Sequence, residues 1–501
     1  MTGALTQLRA MLALRWQMAR APGLRFGLVM SALVLGWLLV RVLGSGGSLD
    51  APTLATAVEL APSAYLGFGL LAIVAPLTAG GGAELVPPDQ LVPHPVRPST
   101  MFYGGLVLAP ANLVWVVQLL VLAALTAYLT IGGSLLLGGI TSALYVLGLT
   151  VLGQALAWLV VGLRQTRRGR RLVAVTGLGL LGGAVLVVRL GYGAEALAAS
   201  PTRSVVAGVI SGGAGEHLRW AVTTGALLVS LVVGLLAGSR LCGWALRRPG
   251  DAGAGRRTEP VRRRPAHRSA LRELVAVDRA SVWRAPALRR GGLVLAVLPG
   301  LVAAGAAVPW QSLIILPGLV AAGAGLLFGV NAFCLDASGA VWLASLPHDP
   351  ALVLRSKAVV LAETVLAAVV LAAVAGSLRS PGAPTGAEVA AIVAAGLVST
   401  AVVVAIALAG SVRRPHRADL AGPRDAVAPP GALALASIRM AVPTAVVGIL
   451  ISGTTQLGAW WWPLVMAVPL LLACGLSLHR SLRRYADPLV RARIVQVVSA
   501  G

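Results

Sequence analysis

Acidic residues, lysine, cysteine and aromatics are all scarce in this chain of 501 residues. Asp and Glu number 17 against 41 Lys and Arg, and Lys357 is the single lysine. Only 12% of residues are charged while 57% are hydrophobic, too little polar surface to solvate a globular fold of this size. The three cysteines, Cys242, Cys334 and Cys474, lie in or at the ends of apolar runs without CxxC spacing, which excludes a disulfide framework or a zinc site and leaves packing. The six histidines are scattered, with no H-E-x-x-H and no i, i+4 pair, so no metal site is expected. No G-x-S-x-G occurs and no loop has the size of a catalytic domain. A P-loop needs G-x-x-x-x-G-K-[ST], and no glycine pattern precedes Lys357, so the chain does not hydrolyse ATP itself and is not expected to be an enzyme.

Long apolar runs dominate instead. Mean hydropathy is +0.86, and runs of about 18 or more apolar residues recur, the length that crosses a bilayer core. The abundant glycines fit transmembrane helices, where they permit close approach. The net charge of +24 is carried almost wholly by arginines. They fall in short clusters between apolar spans rather than in a basic domain with interleaved aromatics, so they read as topology signals and not as a nucleic-acid surface.

In chain order, residues 1–25 form an amphipathic interfacial helix, with Leu5, Leu8, Leu12 and Trp16 at helical spacing and arginines facing anionic membrane lipids. The run 26–40 is long and no small-residue cleavage site follows, so it is read as the first span and not a signal peptide. Spans follow at 62–80, 101–130, 135–163, 172–190 and 219–243, with a basic cytosolic loop at 164–171 and an external loop at 191–217. A basic Pro/Gly-rich linker, 247–268, separates the first half, 1–246, from the second, 269–501. The second half repeats the order: an interfacial helix at 269–290, then spans at 291–308, 312–334, 353–377, 387–411, 433–452 and 459–478. The fold class is therefore an all-α polytopic membrane protein of about twelve helices in two six-helix halves. Placing both termini in the cytoplasm of a cell that keeps this chain in its plasma membrane puts every arginine cluster inside. The run Trp460-Trp461-Trp462 fits an external interface belt.

The two halves share a proline-rich charged loop. In the second half it is Leu346-Pro347-His348-Asp349-Pro350, after Asp336 and before Arg355 and Lys357. In the first it is Val92-Pro93-His94-Pro95, after Glu84 and Asp89 and before Arg97. Proline disfavours helix in the residue before it, so Pro93 and Pro347 can end one helix and aim the next span. The flanking acids Glu84, Asp89, Asp336 and Asp349 are placed to pair with a soluble partner. His94 and His348 read as solvated loop residues.

These features, with the Arg-Ala-Pro-x-Leu-Arg ends of both interfacial helices (Arg20 to Arg25 and Arg284 to Arg289), resemble the permease subunits of type-2 ABC exporters. The loop carrying Asp336, Trp342, Leu346-Pro347 and Arg355-Ser356-Lys357 looks like the one that precedes the third span in that family. The resemblance covers nearly the whole chain. It implies two permeases fused in one chain, each half contacting an ATP-binding subunit through loops 84–99 and 336–350, so two ATPase copies. ATP and magnesium would sit on those subunits, with no cofactor in this chain. The first-half loop departs from the second by its extra prolines, Pro87, Pro88, Pro95 and Pro98, which stiffen it.

Outside the loops, Glu363 stands nearly alone as an acid inside an apolar run, which makes it a candidate for the substrate path or for carrying a proton. A neutral glutamic acid bonded to a neighbouring helix, or a glutamate near the cytosolic surface, is the simpler account. Gln118 and Asn331 are milder candidates for the same path, with helix–helix bonding as the alternative, and Gln154 reads as such glue. Two other functions share the composition: an ion-coupled carrier with two six-helix halves, and a non-transporting membrane enzyme or scaffold. The carrier class favours several intramembrane ionisable groups, whereas interfacial helices and cytosolic loops of this kind have no required role in it.

Overall fold

Prolines and side-chain caps decide where the helices of this chain begin. The computed structural model describes residues 58, 61–70, 72–73, 97–107, 113–130, 133–192, 195, 199–248, 269–305, 307–337, 339–416 and 430–499. The interfacial helix expected at 1–25, the span at 26–40, the loop at 84–96 and the linker from 249 lie outside them. Among the described residues there is no strand. The chain divides into two compact units, Met1–Arg256 and Arg257–Gly501.

In the first unit, residues 61–70 are helical, followed by α1 (Pro98–Val107), α2 (Leu113–Leu129), α3 (Leu135–Arg164), α4 (Arg167–Arg189), α5 (Pro201–Ala214) and α6 (His217–Arg247). The helix α3 starts where Ser134 accepts the Leu137 amide, an N-cap that satisfies one of the free donors of the first turn. Its long partner is α6, and α5 wedges against both. A buried hydroxyl cluster joins three segments here: Tyr65 Oη bonds Thr126 Oγ1 at 2.9 Å and Ser142 Oγ at 2.5 Å, and Thr126 and Ser142 bond each other at 2.7 Å. Tyr145 then donates to the Tyr65 carbonyl at 2.7 Å.

The second unit runs α7 (Ala270–Arg284), α8 (Pro286–Gly305), α9 (Trp310–Leu313), α10 (Leu316–Phe328), α11 (Gly339–Ser345), α12 (Pro350–Ser377), α13 (Gly386–Arg413), α14 (Pro430–Thr454), α15 (Trp462–Ala486) and α16 (Pro488–Ser499). Pro286 explains the break after α7: Ala285 is driven to an extended backbone, and proline then occupies the first helical position of α8. A full capping box begins α13, with Thr385 and Glu388 each bonding the other's backbone amide. The buried face of α13 is largely small residues, among them Ala391, Ala394, Ala395 and Ser399, which lets α10, α12, α14 and α15 close on it. One close helix approach is between α8 and α12 at Gly300, where a Cβ would collide with the Ala372 carbonyl oxygen and Ala375. One pairing recurs in both units: the helix before the basic loop lies along the last long apolar helix, α3 on α6 and α13 on α15.

Seven of the described helices are long and apolar enough to cross a bilayer: 135–164, 217–247, 310–327, 350–377, 386–413, 435–457 and 462–486. The protein is thus an all-helical chain with membrane-spanning helices. Several boundaries differ from the sequence expectation. The external loop expected at 191–217 holds α5, whose Val205, Val206 and Val209 are buried; the loop's weak hydropathy came from its Gly, Ser and Thr, which here pack closely rather than meet water. The span expected over 101–130 is two helices, α1 and α2. The interfacial helix expected over 269–290 stops at Arg284, because Pro286 ends it. The span expected to reach 334 stops at Phe328, and turns carry the chain on to Ala337. The arginine-bearing tail is helical: α15 continues through Arg480, Arg483 and Arg484, and α16 follows.

Candidate functional site

The N-terminal end of α12 gathers most of the residues that the sequence singled out. Asp349 caps α12, its Oδ1 accepting the Ala351 amide at 2.9 Å, and Pro350 takes the first helical position. Just before it, α11 is a short, mostly exposed helix of about two turns. Trp342 on it is 77% exposed, flanked by exposed Val341 and Leu346. Pro347 is exposed and ends this segment, and His348 folds its ring back so that Nδ1 donates to the Leu346 carbonyl at 2.8 Å. Packing against α16, through buried Ala340, fixes the inner side of α11.

Beneath this segment is a buried charge cluster. Lys357, 6% exposed, reaches Asp278 Oδ1 at 2.9 Å and Asp336 Oδ1 at 2.6 Å. The side chains of Asp278 and Asp336 are 17% and 13% exposed. Buried Ser356 donates its hydroxyl to the other oxygen of Asp278. Three elements meet on one ammonium: α7 with Asp278, the turn after α10 with Asp336, and α12 with Lys357. Burial dominates the Asp336 carboxyl and raises its pKa above the usual carboxylate range; Lys357 opposes this and Asp278 adds to it. Ala337, next along the turn, has a left-handed backbone (φ 43°), a conformation that costs a non-glycine residue about 1 kcal/mol. Phe333 stacks on Tyr485 of α15 with ring centroids 5.6 Å apart, closing the turn from the other side. Burial pushes the Cys334 thiol up to about 12, so it is an inert packing residue.

A second, outer tie joins the same two helices. Arg279 of α7 makes a two-pronged bond to both carboxylate oxygens of Glu363 on α12. Glu363, expected to stand nearly alone inside an apolar run, is therefore a half-exposed ion-pair partner. Its partner lies 84 residues away, beyond reach of any local pattern.

Asp336 likewise departs from expectation: its carboxylate is spent on Lys357 inside the protein, not held out to a partner. Asn331, expected along a substrate path, is fully buried and donates to the His416 carbonyl at 2.6 Å. Next to it the Ala332 amide donates to Ser411 at 2.9 Å, so the two residues pin the turn to the end of α13. Arg355 is exposed on α12. In the first unit, Arg97 is exposed and its carbonyl accepts the Thr100 amide at 2.9 Å, starting α1. Glu84, Asp89, Pro93, His94 and the side chain of Gln118 lie outside what is described. The sequence reading missed Asp278 and Arg279, and named Ser356 only as part of the Arg355-Ser356-Lys357 run. The available signal was the acid pair Glu273 and Asp278 in an otherwise basic interfacial helix.

Among the described residues no group of three or more His, Cys, Asp or Glu is arranged to hold a metal ion. No family model, no curated protein and no solved structure matches this chain.

Proposed function

We propose that this chain is the membrane-embedded permease of an ATP-driven exporter, powered by an ATP-binding subunit on a separate polypeptide. The observation that carries the reading is α11: a short exposed helix, bearing Trp342, hung between two apolar helices and backed by a rigid charge cluster. A soluble motor needs such a protrusion to grip, with an aromatic anchor to fill a pocket and a stiff base to push against. The chain carries no P-loop of its own, so ATP and magnesium belong to the partner.

In this reading the two units are two six-helix halves of about twelve spans, each offering one loop to one ATPase copy. The recurrent pairing of α3 with α6 and of α13 with α15 supports a duplicated plan. In the same reading α11, α16 and both termini face the cytoplasm across the cell membrane, an orientation that the arginine-rich loops support. The interfacial helix α7, with exposed Arg272, Trp283 and Arg284, suits a surface of anionic lipids. An ion-coupled carrier is less favoured, since Glu363, its one candidate carboxylate, already has Arg279 as a partner.

The test is purification of the tagged chain from its native membranes in mild detergent, followed by ATPase assay and identification of the co-purifying subunit by its P-loop. A nucleotide-hydrolysing subunit should be recovered with wild type and lost with Trp342→Asp. Recovery of no such subunit, together with transport that follows a proton gradient, would replace this reading with the carrier.

A further inference from the structure

The three members of the buried charge cluster come from segments far apart in sequence: Lys357 is 79 residues from Asp278 and 21 from Asp336. The ammonium is a point where α7, the turn leading to α11, and α12 all meet. Another polar tie between α7 and α12, Arg279 to Glu363, is half exposed, and such pairs are screened and weak, while Ser356 of α12 adds a hydroxyl bond to Asp278. The buried tie is different in kind. Removing the Lys357 ammonium would leave two acids without their counter-charge in a low-dielectric site, so this tie does not part at little cost. Lys357 and Asp278 also line a partly open cavity of about 40 Å³ whose other walls are mostly apolar, among them Cys334 and Leu335. That is room for roughly three waters, and so for a larger cationic head at position 357.

We propose that Lys357 is a positioning residue: its ammonium holds the interfacial helix α7 and the segment 336–350 to α12 as one body, so that a push on α11 is delivered to α7 through Asp336, Lys357 and Asp278. The two arms are separable, one carboxylate each. The use of this tie in coupling rests on the permease reading; the tie itself rests on geometry alone.

Hydrogen exchange read by mass spectrometry, on the full chain in nanodiscs of phosphatidylcholine and phosphatidylglycerol, tests it. Lys357→Met should speed amide exchange by about tenfold or more in both 270–284 and 336–349. Lys357→Arg, which keeps the charge and has the cavity to occupy, should restore wild-type protection in both. Asp336→Asn should loosen 336–349 and leave 270–284 unchanged, and Asp278→Asn should do the reverse. These two variants keep the proposal falsifiable if Lys357→Met does not fold. Wild-type exchange in either segment of Lys357→Met, or loosening of both segments by either aspartate variant, overturns it. Absence of an ATPase partner would remove the permease reading and leave the exchange result standing.

Discussion

Removing the Lys357 ammonium should be among the most damaging single changes in the second unit, and removing all three charges together should be nearly harmless. In Lys357→Met, Asp278 and Asp336 are left facing each other with side chains 17% and 13% exposed. Breaking a buried ion cluster by deleting one partner costs about 3–5 kcal/mol, because the survivors stay desolvated. The triple variant Asp278→Asn, Asp336→Asn, Lys357→Met carries no buried charge and keeps the volume, so it should lie within about 1 kcal/mol of wild type. The assay is reversible unfolding of the purified chain by SDS titration from mixed micelles, followed by tryptophan fluorescence. The pH dependence gives an independent check. In Lys357→Met the Asp336 carboxyl loses the cation that opposes burial, so its folded-state pKa rises further above the unfolded one. A raised folded pKa means that the penalty grows as pH rises and shrinks as pH falls through the folded value. The variant should therefore recover towards wild type in acid. A loss below about 1 kcal/mol for the single variant at neutral pH, or a triple variant as unstable as the single, would refute the view that the charges act as one buried unit.

Three other changes probe the packing around this site and in the first unit. Gly300→Leu forces α8 from α12 against the Ala372 carbonyl, and should cost about 1–3 kcal/mol and broaden the size-exclusion peak. His416 has its pKa lowered, by burial first and Arg414 second. Its contribution to stability is complete above the unfolded value of about 6.5 and is lost as pH falls through the folded value; His416→Gln should flatten that part of a thermal-stability profile. Tyr65→Phe removes two hydroxyl contacts but leaves Thr126 and Ser142 bonded to each other at 2.7 Å, so the loss should be modest, about 0.5–1.5 kcal/mol by the same SDS titration.

The membrane class and the long helices were legible because they depend on uninterrupted apolar length, which local sequence records directly. The starts of α12 and α13, Pro350 and Gly386, lie close to the expected 353 and 387, while the caps that set them, Asp349-Pro350 and Thr385 with Glu388, were not read from the sequence. What the sequence hid was pairing. An acid in an apolar run looks isolated when its counter-ion is 84 residues upstream on another helix, as with Glu363 and Arg279. Asp336 looked available to a partner for the same reason. The helix α5 was hidden because small polar residues such as Thr202 and Ser211 mimic a solvated loop in a hydropathy reading, whereas their size is what lets the helix sit buried between α3 and α6. Asn331 shows the converse: a polar residue in an apolar run turned out to serve the backbone of a turn.

The charge cluster also distinguishes the two units. The tie in the second unit needs an acid on α7 and a cation on α12. In the first unit, residues 1–25 contain neither Asp nor Glu, and no lysine occurs anywhere in residues 1–246. The cation that follows the first-half proline run, just before α1, is Arg97, which is exposed and whose carbonyl accepts the Thr100 amide. It follows that Arg97→Gln should change stability by no more than about 0.5 kcal/mol, as for a surface substitution, against the several kcal/mol expected of Lys357→Met. If Arg97→Gln proves as costly as Lys357→Met in the same SDS titration, the first half has a buried charge tie of its own and the asymmetry argued here is wrong.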